Sequence, residues 1–287
     1  MDSTCTSLQG TNANLTAAEL VEYRLNGLVR PAMRFDEAAV SEMRELLDLT
    51  LMATAGQRPE SLVCPHIEGM NGLPGEISRR WLDIATHAQL VDVVEQVLGP
   101  DIILWGSQIF CKPAGTGLAV PWHQDGHFWP IHPLATCTTW IAIDDVTAEN
   151  GGMRYIPGSH QERRLFEHEP SAKEEMPLNA QLCSQYLDLS NVCTDELRAG
   201  EFSLHDIYLV HGSEPNHSAR RRAGFVLRFM PATSHYDRIG ARQGSNLIDT
   251  KLADRPIFLL RGEDRTDKSN LVDLRDRVHS SQFAPND

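Results

Sequence analysis

The chain has 287 residues, 41% of them hydrophobic and 23% charged, the proportions of a globular protein large enough to build a core without disulfide staples. Its formal charge of −13 argues against general affinity for nucleic acid or anionic membranes, because both need clustered positive charge. No stretch approaches the ~18 apolar residues that span a bilayer, and the opening MDSTCTSLQG has neither the basic nor the apolar region of a secretory leader.

Thr16 and Glu19 form a capping-box pattern ahead of LVEYRLNG, which predicts a first helix. A second helix is predicted from near Asp36, with Val40, Met43, Leu46, Leu47 and Leu51 at helical spacing. A third region spans about Gly75 to Leu98. It carries Trp81, Ile84, Leu90, Val91 and Val94, and stops at Gly99-Pro100. Between the second and third regions, the glycine-rich run from His66 to Gly75 reads as a connector or a loop over a site mouth. Met70 and Asn71 in that run are candidate substrate contacts.

Beyond residue 100 the texture changes. The short apolar runs DIILWGSQIF, TCTTWIAIDDV, GGMRYIPG, EFSLHDIYLVHG and AGFVLRFMP, separated by turn residues, predict strands. Residues 161–200 are polar and aperiodic, the texture of a lid or binding segment. The expected fold is one α+β, mainly β domain. A double-sheet jelly roll would occupy about 101–235, with helices of about 1–100 packed outside it and a C-terminal extension over 236–287. The six cysteines form no CxxC pair, so a reduced, cytoplasmic protein with free thiols is expected, as monomer or homodimer.

The chemistry concentrates in Trp122-His123-Gln124-Asp125-Gly126-His127. In an extended segment residues i and i+2 share a face, so His123 and Asp125 can aim at one point. His211 closes the predicted strand His205–Gly212. Two histidines and one carboxylate make the facial set of non-haem iron(II) oxygenases, and the same set suits zinc. Alone, an HxD with a distant histidine is a weak signal. Arg222, eleven residues after His211, adds a planar cation suited to a carboxylate. In the run Arg220-Arg221-Arg222 one side chain is expected to point inward.

With these residues in place, the chain resembles the phytanoyl-CoA dioxygenase family of iron(II)/2-oxoglutarate oxygenases. The resemblance rests on Lys112-Pro113, Trp122 to Asp125, Trp140 to Asp145, Glu149-Asn150-Gly151, Ile156 to His160, and His211-Gly212-Ser213 through Arg222. It is strong over about 100–231 and implies a double-stranded β-helix. It also implies iron held by His123, Asp125 and His211, 2-oxoglutarate on Arg222, and assistance to that cosubstrate from Gln108, Thr138 and Ser213. The implied reaction uses O2 and releases succinate and CO2 while oxidising a C–H bond. Halogenating relatives carry Gly or Ala at the carboxylate position, so Asp125 favours hydroxylation.

Desaturation, epoxidation or rearrangement on the same centre, a non-catalytic jelly-roll binding protein, and a zinc hydrolase are the alternatives. His127, Phe128 and Trp129 are read as substrate contacts at the pocket mouth, while His205 and His217 read as surface residues without a role. No second cation cluster is legible, so a small metabolite or natural-product intermediate is preferred over a strongly anionic substrate.

Overall fold

The computed structural model describes residues 8–9, 14–171, 178–243 and 252–279. The first helix, Ala17–Asn26, opens on the predicted capping box. Glu19 N donates to Thr16 Oγ1 at 3.2 Å, and Thr16 N donates to the Glu19 carboxylate at 2.7 Å. The second, Glu37–Ala53, is capped by Asp36 and buries Val40, Met43, Leu46 and Leu47. The predicted third region is two helices, Gly75–Ala85 and Ala88–Leu98. The break falls at Thr86 and His87. The Thr86 hydroxyl donates to Leu82 O at 2.8 Å, and His87 takes extended backbone angles. A threonine hydroxyl that satisfies a backbone carbonyl competes with helix continuation.

The β part is two facing sheets, as the double-stranded β-helix requires. The eight-stranded sheet runs in the order Val272–Asp273, Phe258–Arg261, Ile102–Lys112, Arg222–Pro231, Cys137–Ala142, Phe202–Asp206, Leu28–Val29, with Leu62–Val63 also pairing on Ile102–Lys112. The four-stranded sheet runs Cys193–Asp195, Met153–Tyr155, His211–Ser213, Val120–His123. The predicted strand from His205 to Gly212 is broken. Tyr208 N donates to Asp206 Oδ1 at 2.9 Å and Leu209 N donates to Asp206 O at 3.0 Å. An aspartate that captures the backbone in this way makes a turn. The turn carries the chain from the large sheet to the small one.

Alternation divides the large sheet's two faces. Phe225, Leu227 and Phe229 join Ile109, Ile141, Phe202 and Leu204 in one core with the helix residues Met43, Leu46, Trp81, Ile84 and Val91. The helices therefore cover the outside. Arg222, Val226 and Arg228, with Gln108, Phe110, Thr138 and Trp140, face the space between the sheets. A register shift between Arg228 and Phe229 skips Trp105, so Ile102 and Leu104 face outward while Trp105 and Gly106 both line the interior. Bulges of this kind re-aim side chains beside functional sites. The interior cavity encloses about 450 Å³. No helix among the described residues is long and apolar enough to cross a membrane. Cys64, Cys111, Cys137, Cys183 and Cys193 are free thiols, while Cys5 lies outside the described residues.

Candidate metal centre

His123 and His211 are cross-strand partners in the small sheet, with ring centroids 4.1 Å apart. His123 Nδ1 contacts Pro121 O at 2.8 Å, and His211 Nδ1 contacts Leu209 O at 3.0 Å. Two backbone acceptors thus fix the proton on Nδ1 and leave each Nε2 lone pair facing the cavity, the arrangement that orients metal-binding imidazoles. Asp125 Oδ1 lies 3.5 Å from His123 Nε2 and 3.9 Å from His211 Nε2. The three donors all lie within 4.8 Å of one another and all three residues are buried.

Asp125 is not on the strand. Val120–His123 ends at His123, Gln124 is extended, and Asp125 opens a short 3-10 turn, Asp125–His127. Gln124, fully buried, fixes that crossing. Its Oε1 accepts from Phe166 N at 2.7 Å, and its Nε2 donates to Tyr208 O at 2.8 Å and Arg164 O at 3.1 Å. Its side chain thereby ties the motif to the 161–200 segment and to the turn preceding His211.

Charge suits a divalent cation. Burial lowers the His211 imidazole to about 3, with help from His123, so the ring is a neutral donor. Burial alone would raise the Asp125 carboxyl. The contacts from His123 and His205, with the neighbouring His211, outweigh it and hold the group well below the usual carboxylate range. Thr138 Oγ1 donates to Asp125 Oδ2 at 3.3 Å. Two imidazoles and one ionised carboxylate in a buried site form the oxygenase donor set, and these residues fit iron(II).

His205 corrects the sequence reading. It is 2% exposed, not a surface residue, and its Nε2 lies 3.5 Å from Asp125 Oδ2. It is the register partner of Thr138 on the large sheet, so both bear on the same carboxylate. The sequence carried a signal in the alternation of Phe202, Leu204 and Asp206 with Ser203 and His205.

Of the arginine run, one points inward as expected. Arg220 approaches Glu149 at the surface and Arg221 pairs with Asp144 and Asp48. Arg222 is 3% exposed, lines the cavity and lies over the Trp140 ring at 5.1 Å. Its Nη2 and Nε donate to Gly151 O at 2.5 and 3.2 Å, and no carboxylate among the described residues pairs with it. Burial lowers it to about 10, so it remains a cation at neutral pH. Gly151 has φ +79°, and a Cβ there would lie 2.6 Å from Glu214 O. Gly224 gives Trp140 its space, since a Cβ would meet that ring at 2.1 Å.

The expected helpers divide. Ser213 lines the cavity, and its hydroxyl accepts from Lys112 Nζ at 2.7 Å, leaving its own proton to donate. Lys112 also reaches Glu214 O, and burial reinforced by Arg222 lowers it to about 6. Thr138 serves Asp125 directly. Gln108 lines the cavity, but its Oε1 accepts from Arg228 Nη2 at 2.7 Å. Phe128 and Trp129 line the cavity, whereas His127 stacks on His168 at 4.0 Å beside it. Met70 and Asn71 are corrected: they form a turn outside the cavity wall, with Asn71 Nδ2 committed to Val63 O at 2.7 Å. The 161–200 segment supplies Leu178 and Asn179 to the wall, and its residues 172–177 lie outside the described part.

A family model described as phytanoyl-CoA dioxygenase matches residues 23–224. The chain belongs to the phytanoyl-CoA dioxygenase family. Among curated members it is 32% identical over 147 residues to a probable alpha-ketoglutarate-dependent hypophosphite dioxygenase of Stutzerimonas stutzeri, covering 50% of each chain. It is 26% identical over 200 residues to the L-proline trans-4-hydroxylase of Streptomyces griseoviridis, covering 62% of this chain and 74% of that one. The chain spans about half the length of curated relatives such as the Stutzerimonas protein. The non-heme monooxygenase ThoJ in its apo form superimposes with a TM-score of 0.65 at 22% identity, over 91% of this chain and 92% of that one. EctD from S. alaskensis, solved with 2-oxoglutarate and 5-hydroxyectoine, superimposes with a TM-score of 0.63 at 18% identity, over 82% and 83%. These superpositions show the jelly-roll fold of the family.

Proposed function

We propose that this phytanoyl-CoA dioxygenase family member is an iron(II)- and 2-oxoglutarate-dependent dioxygenase that hydroxylates a C–H bond of a small molecule. The observation that carries the reading is the buried His123–Asp125–His211 set in one cavity with Arg222, a buried cation without a carboxylate partner among the described residues. When bound there, iron(II) and 2-oxoglutarate supply an oxidation by O2 with succinate and CO2 as co-products.

The chain's residues bind, orient and shield. His123, Asp125 and His211 would hold the metal. Arg222 receives the distal carboxylate of the oxo acid, with Gly151 O fixing the guanidinium and the Ser213 hydroxyl donating beside it. Thr138 orients Asp125 through Oδ2, so Oδ1 stays turned to the histidines. Phe128, Trp129 and Trp140 keep bulk water from the site. No side chain has to act as a general base. The carboxylate at position 125 favours hydroxylation over halogenation.

The test is an anaerobic titration of the protein with iron(II) and 2-oxoglutarate, read by the visible charge-transfer band of the chelate. The band is expected in the wild type and is lost in Asp125→Ala and Arg222→Gln. A wild type that binds neither partner sinks the reading in favour of a non-catalytic binding protein.

A further inference from the structure

The cavity holds more positive charge than the oxo acid accounts for. Among the described residues, its wall carries Arg222, Arg228 and Arg255, with Asp125 as the single carboxylate. Arg222 and Arg228 face the same side of strand Arg222–Pro231, six residues and so about 20 Å apart along it. Arg228 pairs in register with Thr138, whose hydroxyl holds Asp125, so it stands at the metal's end of the cavity and Arg222 at the other.

Arg228 and Arg255 converge from different elements. Both guanidiniums lie against Trp105, at 5.9 and 5.4 Å from its ring centroid. Arg228 also lies 5.1 Å from the Trp129 ring, and Arg255 lies 4.5 Å from the Tyr236 ring. A Cβ on Gly106 would be 3.8 Å from Arg255 Nη2 and 4.0 Å from Arg228 Cδ, which places the two side chains around one glycine. No carboxylate among the described residues pairs with either arginine. The sequence reading found no second cation cluster; two arginines 27 positions apart form one.

Each guanidinium is tethered yet keeps donors free. Arg255 Nε donates to Trp105 O at 3.1 Å, and its Nη1 donates to Leu252 O at 2.6 Å and Tyr236 Oη at 3.0 Å. Arg228 Nη2 is held by Gln108, and among the described residues no hydrogen bond engages Arg228 Nη1 or Arg255 Nη2. Buried donors without acceptors are costly unless a ligand supplies them, and pre-tethered cations lose little entropy when it arrives. A divalent metal and a 2-oxoglutarate dianion cancel each other's charge, so loading the centre leaves the two arginines unbalanced.

We propose that the substrate is an organic oxyanion, a carboxylate or a phosphonate, whose charged group is held by Arg228 and Arg255 while its C–H bond faces His123, Asp125 and His211. This rests on the dioxygenase reading and names the substrate class for the same site. Arg228 Nη1 and Arg255 Nη2 are the donors that the oxyanion satisfies, and Trp129 supports the apolar body of the molecule.

The test is calorimetry on anaerobic protein loaded with iron(II) and 2-oxoglutarate, titrated with benzoate, phenylphosphonate and the uncharged benzamide. The anions are expected to bind and benzamide is not. Comparing the two anions distinguishes carboxylate from phosphonate. Arg228→Gln is expected to weaken anion binding at least tenfold and Arg228→Lys to recover part of it. Arg255→Lys, which keeps charge but loses the fork, is expected to weaken it less than Arg228→Gln. Equal binding of benzamide, or unchanged anion binding in Arg228→Gln, overturns the inference. The chelate band recorded on the same samples separates the two readings. A wild type with the band but no anion binding sinks the oxyanion site alone, whereas anion binding without the band sinks the dioxygenase reading alone. Loss of the band in Arg228→Gln with its survival in Arg222→Gln would place the oxo acid on Arg228 and overturn the assignment.

Discussion

Asp125 is the side chain on which the most forces converge. Burial opposes its charge, and His123, His205, His211 and Thr138 help make that charge tolerable. A buried carboxylate so supported is poised for a cation. Asp125→Ala is therefore expected to lose iron binding and nearly all succinate formation, read by metal content after desalting and by product analysis. Thr138→Val keeps the carboxylate but frees Oδ2, and losses for such supporting groups run about 10–100-fold in metal affinity or activity. Full activity in Asp125→Ala would remove the ligand assignment. His123, Asp125 and His211 were legible in the sequence because ligand chemistry limits the residue types and the i, i+2 spacing aims both motif residues at one point even though Asp125 lies past the strand's end. Alternation marked His205 as inward, but what it and Arg228 approach was not legible, because His205 meets Asp125 through strand pairing and Arg228 sits beside a bulge. Neither leaves a local pattern: Thr138 and His205 meet across 67 positions of sequence, and only the pairing of their strands says so.

At the scale of elements, the function depends on how segments end. The strand Val120–His123 stops two residues before Asp125, and Gln124 bonds that junction to two other segments. The turn at 147–152 does similar work for the oxo-acid end. Asn150 accepts from Thr147 N at 2.8 Å and donates to Asp145 O at 2.8 Å, presenting Gly151 O to Arg222. Gly151→Ala forces a left-handed backbone on a residue with a Cβ, at roughly 1–2 kcal/mol, and drives that Cβ at Glu214 O. The carbonyl must move and Arg222 loses its anchor. The expected outcome is a several-fold rise in KM for 2-oxoglutarate with kcat little changed, measured by initial rates; an unchanged KM would show that Gly151 does not position the guanidinium. Strand periodicity revealed the long strands, whose inner and outer faces both had to be filled. It did not reveal the break at Ile207–Val210, where Asp206 takes the backbone despite an unbroken apolar run, nor the division of the 75–98 helix at Thr86.

For the whole molecule, placing a polar cavity inside the β-helix leaves ionisable groups in the wall between site and core, and these set the response to acid. His66 is 2% exposed. Its Nδ1 lies 2.6 Å from Ser107 Oγ, its ring meets Phe258 edge-on, and its Nε2 has no partner. Burial, with the added charge of Arg255, lowers it from 6.5 to about 3. The folded protein therefore keeps His66 neutral where the unfolded chain protonates it. Because the folded value is the depressed one, its contribution to stability is intact above about pH 6.5. As pH falls from there towards 3 the unfolded state takes up the proton first, and stability is lost at up to about 1.4 kcal/mol per pH unit. Below 3 the effect levels off. His66→Gln removes the titrating ring while keeping a donor and an acceptor for Ser107. Urea unfolding midpoints between pH 7 and 4 are expected to fall less steeply in that variant than in the wild type, even if the variant is less stable at pH 7. Parallel pH profiles for the two proteins would mean that other buried groups, and not His66, govern the acid response.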